Sequence, residues 1–400
     1  MKINLKTSQE EQRRMSYSTD ASQISGLALN VVIPETIDET RNAVRITESI
    51  VPRGGGTGLV GGAVPTKNTI IDISKLNKIL DIDINKKIAY VEAGIILDIL
   101  NNELEKHGLE FPVQPSSHSV CTIGGMIATN AAGSRAIKYG KTDSWVQEVE
   151  MINPIGELIK IPKPDVKDFA GMEGTTGLIV KARLKLIKKP ARKAALYEAK
   201  SKEEVVEAVR KFKSNSKTSM IELYDSFVSK ILGLEENYHL LVEFEDSEEI
   251  QEEKDYKEIM NVRDSVYPYL AEKGYMIIED PKIFLDKFIP LAEFLEINSI
   301  PYYGHIGSGI IHPCFKPKQE KLIDAVMELV RKLHGQATGE HGIGMRKEKF
   351  LDETEKKLLR RVKERLDKNN KFNPGKLITM KKEKVEELKE EQIHEVFSNE

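Results

Sequence analysis

Cysteine is scarce: the 400 residues hold two, Cys121 and Cys314. Two isolated thiols build no disulfide framework, CxxC pair or zinc ribbon, and they suit a reducing cytoplasm. Long apolar runs are missing as well. No stretch reaches the roughly 18 residues of a membrane-spanning helix, which leaves only peripheral attachment to an inner membrane face open. The polar N-terminus lacks the apolar core of a signal peptide. Charge of one sign is also lacking. Sixty Lys and Arg stand against 63 Asp and Glu, so the net charge of −3 gives no reason to expect nucleic acid as a partner.

Glycine, by contrast, is concentrated. Residues 51–65 (Val-Pro-Arg-Gly-Gly-Gly-Thr-Gly-Leu-Val-Gly-Gly-Ala-Val-Pro) contain six glycines bracketed by strand-like runs. Glycine lets a ligand approach the main chain, and successive free N–H groups form an anion-binding concavity. Gly56-x-Gly58-x-x-Gly61 matches the dinucleotide fingerprint only as a string. That fingerprint needs a helix opening inside it, and here another strand, Ile70–Ile73, follows. No Lys follows these glycines, so a P-loop is excluded. A plain glycine hinge is the bland alternative.

The 400 residues suffice for two or three domains. Residues 1–26 read as a polar, weakly ordered segment. Strands are expected at 28–34, 49–52, 70–73, 79–84 and 88–93, with helices at 37–48 (Thr36 as N-cap) and 97–107. Val146–Asn153 and Leu158–Ile161 read as a hairpin, and Leu178–Leu186 as a strand after the glycine loop 171–177. Lys188-Lys189-Pro190 marks a boundary. Beyond it, helices and strands alternate, which suggests an antiparallel sheet with helices on one face. A helical region over 247–273 is expected to break near Tyr267-Pro268, and 301–311 to form one strand. Helices at 318–333 and 352–367 flank a further glycine-rich loop, 334–345. The tail 381–400 reads as a charged helix. The resulting division is 1–26, 27–190, 191–333, 334–380 and 381–400.

Two constellations could carry chemistry. The loops at 52–62, 115–134 and 171–177 all precede residue 190 and could enclose a large, flat, phosphate-bearing cofactor. The second is histidine-rich: half of the eight histidines fall between His305 and His341. Two His and a carboxylate (His305, His312 and Glu340) suit a divalent metal with an open position. A further His, such as His341, can act as a base near neutral pH.

Taken together, Pro52–Leu59, Thr122–Ser134, Glu173–Gly177, Gly304–Gly307, Gly339–Gly344 and Asn373–Lys376 resemble the motif series of FAD-dependent D-2-hydroxy-acid dehydrogenases. That group includes D-lactate dehydrogenase and the glycolate oxidase FAD subunit, and belongs to the vanillyl-alcohol-oxidase, or PCMH-type, flavoproteins. The resemblance is collinear over roughly residues 17–380. It implies an α+β fold: a two-subdomain FAD-binding domain, a ferredoxin-like antiparallel-sheet cap and C-terminal helices.

It further implies non-covalent FAD, with contacts from Pro52, Arg53, Gly54, Gly55, Gly56, Thr57, Gly58 and Leu59. Others would come from Pro115, Ser116, Thr122, Gly124, Gly125, Ala128, Asn130, Gly133, Ser134 and Tyr139, then from Glu173, Gly174, Gly177, Ile179 and Asn373. His305, His312 and Glu340 would hold a divalent ion such as zinc or manganese. His341 would be the base, and Arg263 would clamp the carboxylate of a small 2-hydroxy acid such as D-lactate or glycolate. The chain carries no cluster cysteines, so electrons must leave to an acceptor or an iron–sulfur partner subunit. A homodimer is compatible with the resemblance. So are an electron-transfer subunit and an alkyl-dihydroxyacetone-phosphate-synthase-like or sugar-oxidase-like flavoenzyme.

The sequence departs from the family at several places, three of them by substitution in or beside the motifs. Ser308 and Ile310 stand where Asp and Asn are usual, which thins the expected polar support of the histidine site. The Val-Pro-Arg-Ser expected after Glu279-Asp280 is replaced by Pro281-Lys282-Ile283-Phe284, which removes a second basic contact and weighs against a dicarboxylate. Met172 replaces a usual Ser.

Overall fold

The computed structural model describes residues 5–246 and 253–380. The strand Thr66–Asp72 is buried at every position from Asn68 onward. Burial on both faces marks a central parallel strand. This one lies between Leu27–Val32 and Ile50–Arg53 and runs parallel to both. The helix Ile37–Ile46 begins at Thr36, whose hydroxyl accepts the Glu39 amide at 3.1 Å.

Five antiparallel strands form a second sheet, ordered Ile79–Asp83, Ile88–Glu92, Leu178–Lys185, Val146–Ile152 and Leu158–Pro162. Its alternating Ala89, Val91, Val180 and Ala182 join one core with Leu97, Leu100 and Leu104. Those leucines recur three and four residues apart on the helix Leu97–Glu105, which puts them on one face. The short helix Ile123–Thr129 packs into the same core. A Cβ at Gly124 would stand 2.9 Å from that of Ala93, so glycine is what permits the approach.

The third sheet has six strands, all antiparallel: Arg192–Ala199, Tyr238–Glu245, Thr218–Tyr224, Tyr302–Gly304, His312–Phe315 and Ile277–Ile278. Strand alternation sends Ile221, Leu223, Leu240 and Val242 to one face, beneath Lys202–Lys213, Phe288–Ile297 and Glu320–Lys332. It sends Met220, Tyr224 and Leu241 to the other face, against Val266 and Leu270 of the helix Glu253–Glu272. Helices thus cover both faces of this cap, where the sequence pattern pointed to one.

The helix Glu253–Glu272 runs unbroken through Pro268, contrary to the expected interruption. Burial of Val266 and Leu270 on either side of the proline holds the segment in register. The expected strand 301–311 is split instead. Gly304 (φ +151) and Gly309 (φ +82) bracket a single helical turn, and a new strand opens at His312. Residues 5–26 are also better ordered than their composition implies. Leu5–Ser16 is a helix, and the Tyr17 hydroxyl donates to Asp72. Asp20 accepts the Ala63 amide at 3.1 Å, and Arg346 donates to the Ser22 carbonyl at 2.7 Å. These partners lie far away in sequence, so composition could not reveal them.

The last segment folds back on the N-terminal sheets. Lys363 of the helix Glu353–Leu366 is buried, and its Nζ donates to the carbonyls of Thr175 (2.6 Å) and Phe372 (2.7 Å). The Asn373 amide donates to Ile50 at 2.7 Å. Among the described residues, no helix is long and apolar enough to cross a membrane. The charged tail 381–400 and the start of the 247–273 region lie outside the described residues.

Candidate active site

A cavity of about 760 Å³ lies between the N-terminal sheets and the cap. All three glycine-rich loops reach it: residues 52–60 and 62–63 of the first, 115–119 and 121–132 in part of the second, and Glu173, Gly174 and Gly177 of the third. Residues Gly54 to Leu59 line this space, and none of their amides donates to a protein group among the described residues. A Cβ on Gly58 would meet nothing within 4 Å and would project into open space. Unpaired amides along a glycine-lined wall are what an anionic pyrophosphate requires. The residues present therefore fit FAD.

Most of the residues expected to contact the cofactor line the cavity: Pro52 to Leu59, Pro115, Ser116, Thr122, Gly124, Gly125, Ala128, Glu173, Gly174, Gly177 and Ile179. Five others stand behind its wall. Asn130, in the left-handed conformation (φ +48), ends the helix Ile123–Thr129 and accepts the Asp143 amide at 3.0 Å. Gly133 (φ +143) passes so close to Gln114 that a Cβ would sit 2.3 Å from its carbonyl oxygen. Ser134 is buried. The Tyr139 hydroxyl donates to Glu245 at 2.5 Å, reaching across to the cap. Asn373 Nδ2 donates to the carbonyls of Gly62 (2.9 Å) and Glu173 (2.8 Å), tying the first glycine loop to the third.

The histidines converge at the cap end. Ligand atoms of His305, His312 and Glu340 all lie within 4.8 Å of one another. Glu340 Oε1 is 3.2 Å from His305 Nε2 and 3.4 Å from His312 Nε2. The opposite ring nitrogens are already engaged, His305 Nδ1 with Glu222 Oε1 at 2.6 Å and His312 Nδ1 with the Glu279 carbonyl at 3.0 Å. Engagement of Nδ1 fixes the tautomer that presents Nε2, the outer-sphere arrangement typical of metal-binding histidines. The donor set therefore fits a divalent ion. Burial disfavours the charged ring of His305, but the Glu222 and Glu340 carboxylates outweigh it and push His305 up to about 10. Burial works against the Glu340 carboxylate too, and the two histidines still hold it well below the usual range.

His341 stacks on His312, with ring centroids 5.2 Å apart and an interplanar angle of 8°. Its Nε2 stands 3.6 Å from Glu340 Oε1, and its buried Nδ1 has no hydrogen-bond partner. Burial lowers the pKa of this ring, although Asp280 opposes the shift. Arg263 enters from the helix Glu253–Glu272 with only 8% of its side chain exposed. Its Nη1 pairs with Asp264 at 3.0 Å, while its buried Nε has no partner.

The polar support that Ser308 and Ile310 fail to provide comes from elsewhere. Ser308 only donates to the His305 carbonyl, and Ile310 is buried beside Gly339. Glu222 and Asp280 do the work instead. Asp280 Oδ2 accepts from the amides of Gly339 (2.9 Å), Glu340 (2.6 Å) and His341 (2.7 Å), and its other oxygen pairs with Lys347. Burial would raise the Asp280 carboxyl, but His341, Lys347 and these donors hold it near 2. Sequence reading passed over both acids. One signal was available: Glu222 interrupts an apolar strand, Met220-Ile221-Glu222-Leu223-Tyr224, where a charge must find a buried partner.

Comparison with known proteins agrees with this architecture. Residues 28–162 match the FAD binding domain family, and residues 251–377 match the C-terminal domain of FAD linked oxidases. Among curated proteins, a D-lactate dehydrogenase of Archaeoglobus fulgidus is 30% identical, over 87% of this chain and 91% of its own. The glycolate oxidase subunit GlcD of Bacillus subtilis is 29% identical, over 91% and 92%. A D-2-hydroxyglutarate dehydrogenase of Xanthomonas citri is 27% identical, over 87% and 89%. Among solved structures, an alkyldihydroxyacetonephosphate synthase superposes with a TM-score of 0.67 at 18% identity, covering 90% of this chain and 80% of that one. The fold is thus that of the vanillyl-alcohol-oxidase-type flavoproteins. The chain belongs to the FAD-linked oxidase family, an oxidoreductase with FAD as its cofactor.

Proposed function

We propose that the protein oxidises a small D-2-hydroxy monocarboxylic acid, D-lactate or glycolate, to the 2-oxo acid. The observation that carries this reading is the meeting of Arg263, His341 and the His305–His312–Glu340 set in the cavity lined by the glycine loops. The unpaired Arg263 Nε suits a substrate carboxylate, since a guanidinium fork matches its geometry. His305, His312 and Glu340 would hold a divalent ion. When bound, FAD supplies the hydride acceptor and the ion a Lewis acid. His341 takes the hydroxyl proton on Nε2, the ring nitrogen turned toward Glu340. Cap residues exclude water from the reacting face, with Val266, Ile278 and Tyr303 in the wall.

Arg263 is the one Arg or Lys that the cap contributes to the cavity among the described residues. A second carboxylate would therefore find no second arginine or lysine of the cap there, which favours a monocarboxylate over 2-hydroxyglutarate. The electron acceptor is a carrier or a partner subunit, in keeping with the subunit status in the name of the Bacillus subtilis relative. Anaerobic mixing of the flavoprotein with D- and L-2-hydroxy acids tests the reading. D-lactate or glycolate should bleach the flavin, with D-2-hydroxyglutarate at least ~10-fold less effective, the scale of one unpaired buried charge contact. If no acid in the panel bleaches it, the assignment fails.

A further inference from the structure

The segment 338–344 carries both Glu340 and His341, yet it belongs to neither a helix nor a strand. None of the five amides from Glu340 to Gly344 donates to a main-chain carbonyl. Side chains hold every one. Asp280 Oδ2 takes those of Glu340 (2.6 Å) and His341 (2.7 Å). The Thr338 hydroxyl takes that of Gly342 at 3.1 Å and donates to the same Asp280 oxygen at 2.9 Å. Glu173 Oε1 takes the Ile343 amide at 2.6 Å, and Oε2 takes that of Gly344 at 2.8 Å. Asp280 is fully buried and comes from the cap, while Glu173 is 6% exposed and comes from the third glycine loop. The loop is thus suspended between two buried carboxylates, one on each side of the cavity.

A loop with its own backbone ladder would keep its shape wherever it was attached. This one takes its shape from its anchors, so the position of His341 relative to the flavin side of the cavity is set by Glu173 and relative to the cap by Asp280. Gly342 has φ +85, and a Cβ there would come 2.6 Å from Glu173 Oε1. The carboxylate and the loop are therefore packed against each other without slack. This geometry gives Glu173 a role beside the cofactor contact expected from the sequence.

We propose that Glu173 is a positioning residue for proton abstraction: it fixes the reach of His341, with Asp280 and Thr338 as the opposing anchor. This rests on the assignment of His341 as the base. Glu173→Gln keeps the size of the side chain but turns an NH₂ toward one of the two loop amides, so one anchor bond is lost. Thr338→Val removes the hydroxyl isosterically, and Thr338→Ser restores it.

The test uses FAD-loaded full-length protein. Anaerobic stopped-flow gives the limiting rate of flavin reduction by D-lactate or glycolate and the substrate dissociation constant. FAD affinity, metal content and the solvent deuterium isotope effect are measured on the same preparations. A sub-ångström to ångström displacement of a base costs on the order of 10- to 100-fold in rate. The limiting rate should fall by that factor in Glu173→Gln and Thr338→Val, with a larger solvent isotope effect and recovery in Thr338→Ser. Substrate affinity should stay within about twofold in both variants, since Arg263 is untouched, and FAD affinity should stay so in Thr338→Val, which leaves the glycine loops intact. If Glu173→Gln weakens FAD binding while the flavin that remains bound is reduced at the wild-type rate, Glu173 is a cofactor contact and the proposal falls. Wild-type reduction rates in both variants overturn it as well. Should Glu173→Gln not fold, Thr338→Val and Thr338→Ser decide alone. A wild-type flavin that no 2-hydroxy acid reduces overturns the functional reading and this one together, whereas unchanged variants of a working enzyme overturn this one only.

Discussion

Single residues decide the chemistry, and the decisive ones are buried charges with chosen partners. Glu222 is 1% exposed and engages His305 Nδ1 at 2.6 Å. Its charge fixes the ring and would strengthen it as the ligand proposed above. Replacement by Gln keeps an acceptor but removes the charge. Titration of apo protein with zinc or manganese should then show binding weakened by about 10- to 100-fold, with Arg263 and the fold intact by circular dichroism. Unchanged affinity would detach Glu222 from the ligand set. The pairing itself is not visible in residue order: His305 and Glu222 are 83 positions apart. The His305, His312 and Glu340 trio, by contrast, was legible because glycines and histidines of unusual density flank it.

At the scale of elements, the helix Glu253–Glu272 couples cap packing to Arg263, the arginine proposed to hold the substrate. Arg263, Val266 and Leu270 recur at three- and four-residue spacing and so share a face. Val266 and Leu270 are buried against the sheet, which aims Arg263 at the cavity one turn earlier. Leu270→Ala should cost about 2–4 kcal/mol, the usual price of a buried leucine, read as a lower midpoint in urea. Because the same helix carries Arg263, the Kd for substrate should rise while the limiting rate of flavin reduction changes less. Equal loss in both would mean that the helix also positions the base. Sequence periodicity located this helix but broke it at Pro268, since a rule about proline says nothing of the packing that compensates for it.

For the whole molecule, the joint between the N-terminal domain and the cap is a buried ionic network. Arg135 donates to Glu243 at 2.8 and 2.9 Å, and Arg192 spans Glu110 and Glu245. Burial opposes the Glu243 charge, but Arg135 and Arg192 outweigh it and hold its pKa at about 2, against 4.5 for a free glutamate. A depressed carboxyl adds stability that is present above pH 4.5 and lost as the pH falls toward 2. Between those values the unfolded chain binds the proton first. The loss should reach about 2 kcal/mol by pH 3, seen as a lower melting temperature than at pH 5. In Glu243→Gln that slope should flatten, on a less stable baseline. An unaltered slope would place the acid sensitivity elsewhere, for instance at Asp280.

The sequence by itself determined the cofactor class, the three-loop cradle, the antiparallel cap and the metal-type trio. Those features depend on local composition: glycine where a ligand meets the main chain, alternating apolar residues where a sheet is half buried, histidine where an ion could be held. Tertiary structure alone decided which polar residues touch the cavity and which stand behind it, as with Asn130, Tyr139 and Asn373. It alone decided that helices cover both cap faces, and that Glu173 and Asp280 hold the loop of Glu340 and His341 between them. The physical reason is common to all of these. A buried polar group must find a partner, and the chain can bring that partner from any distance along the sequence.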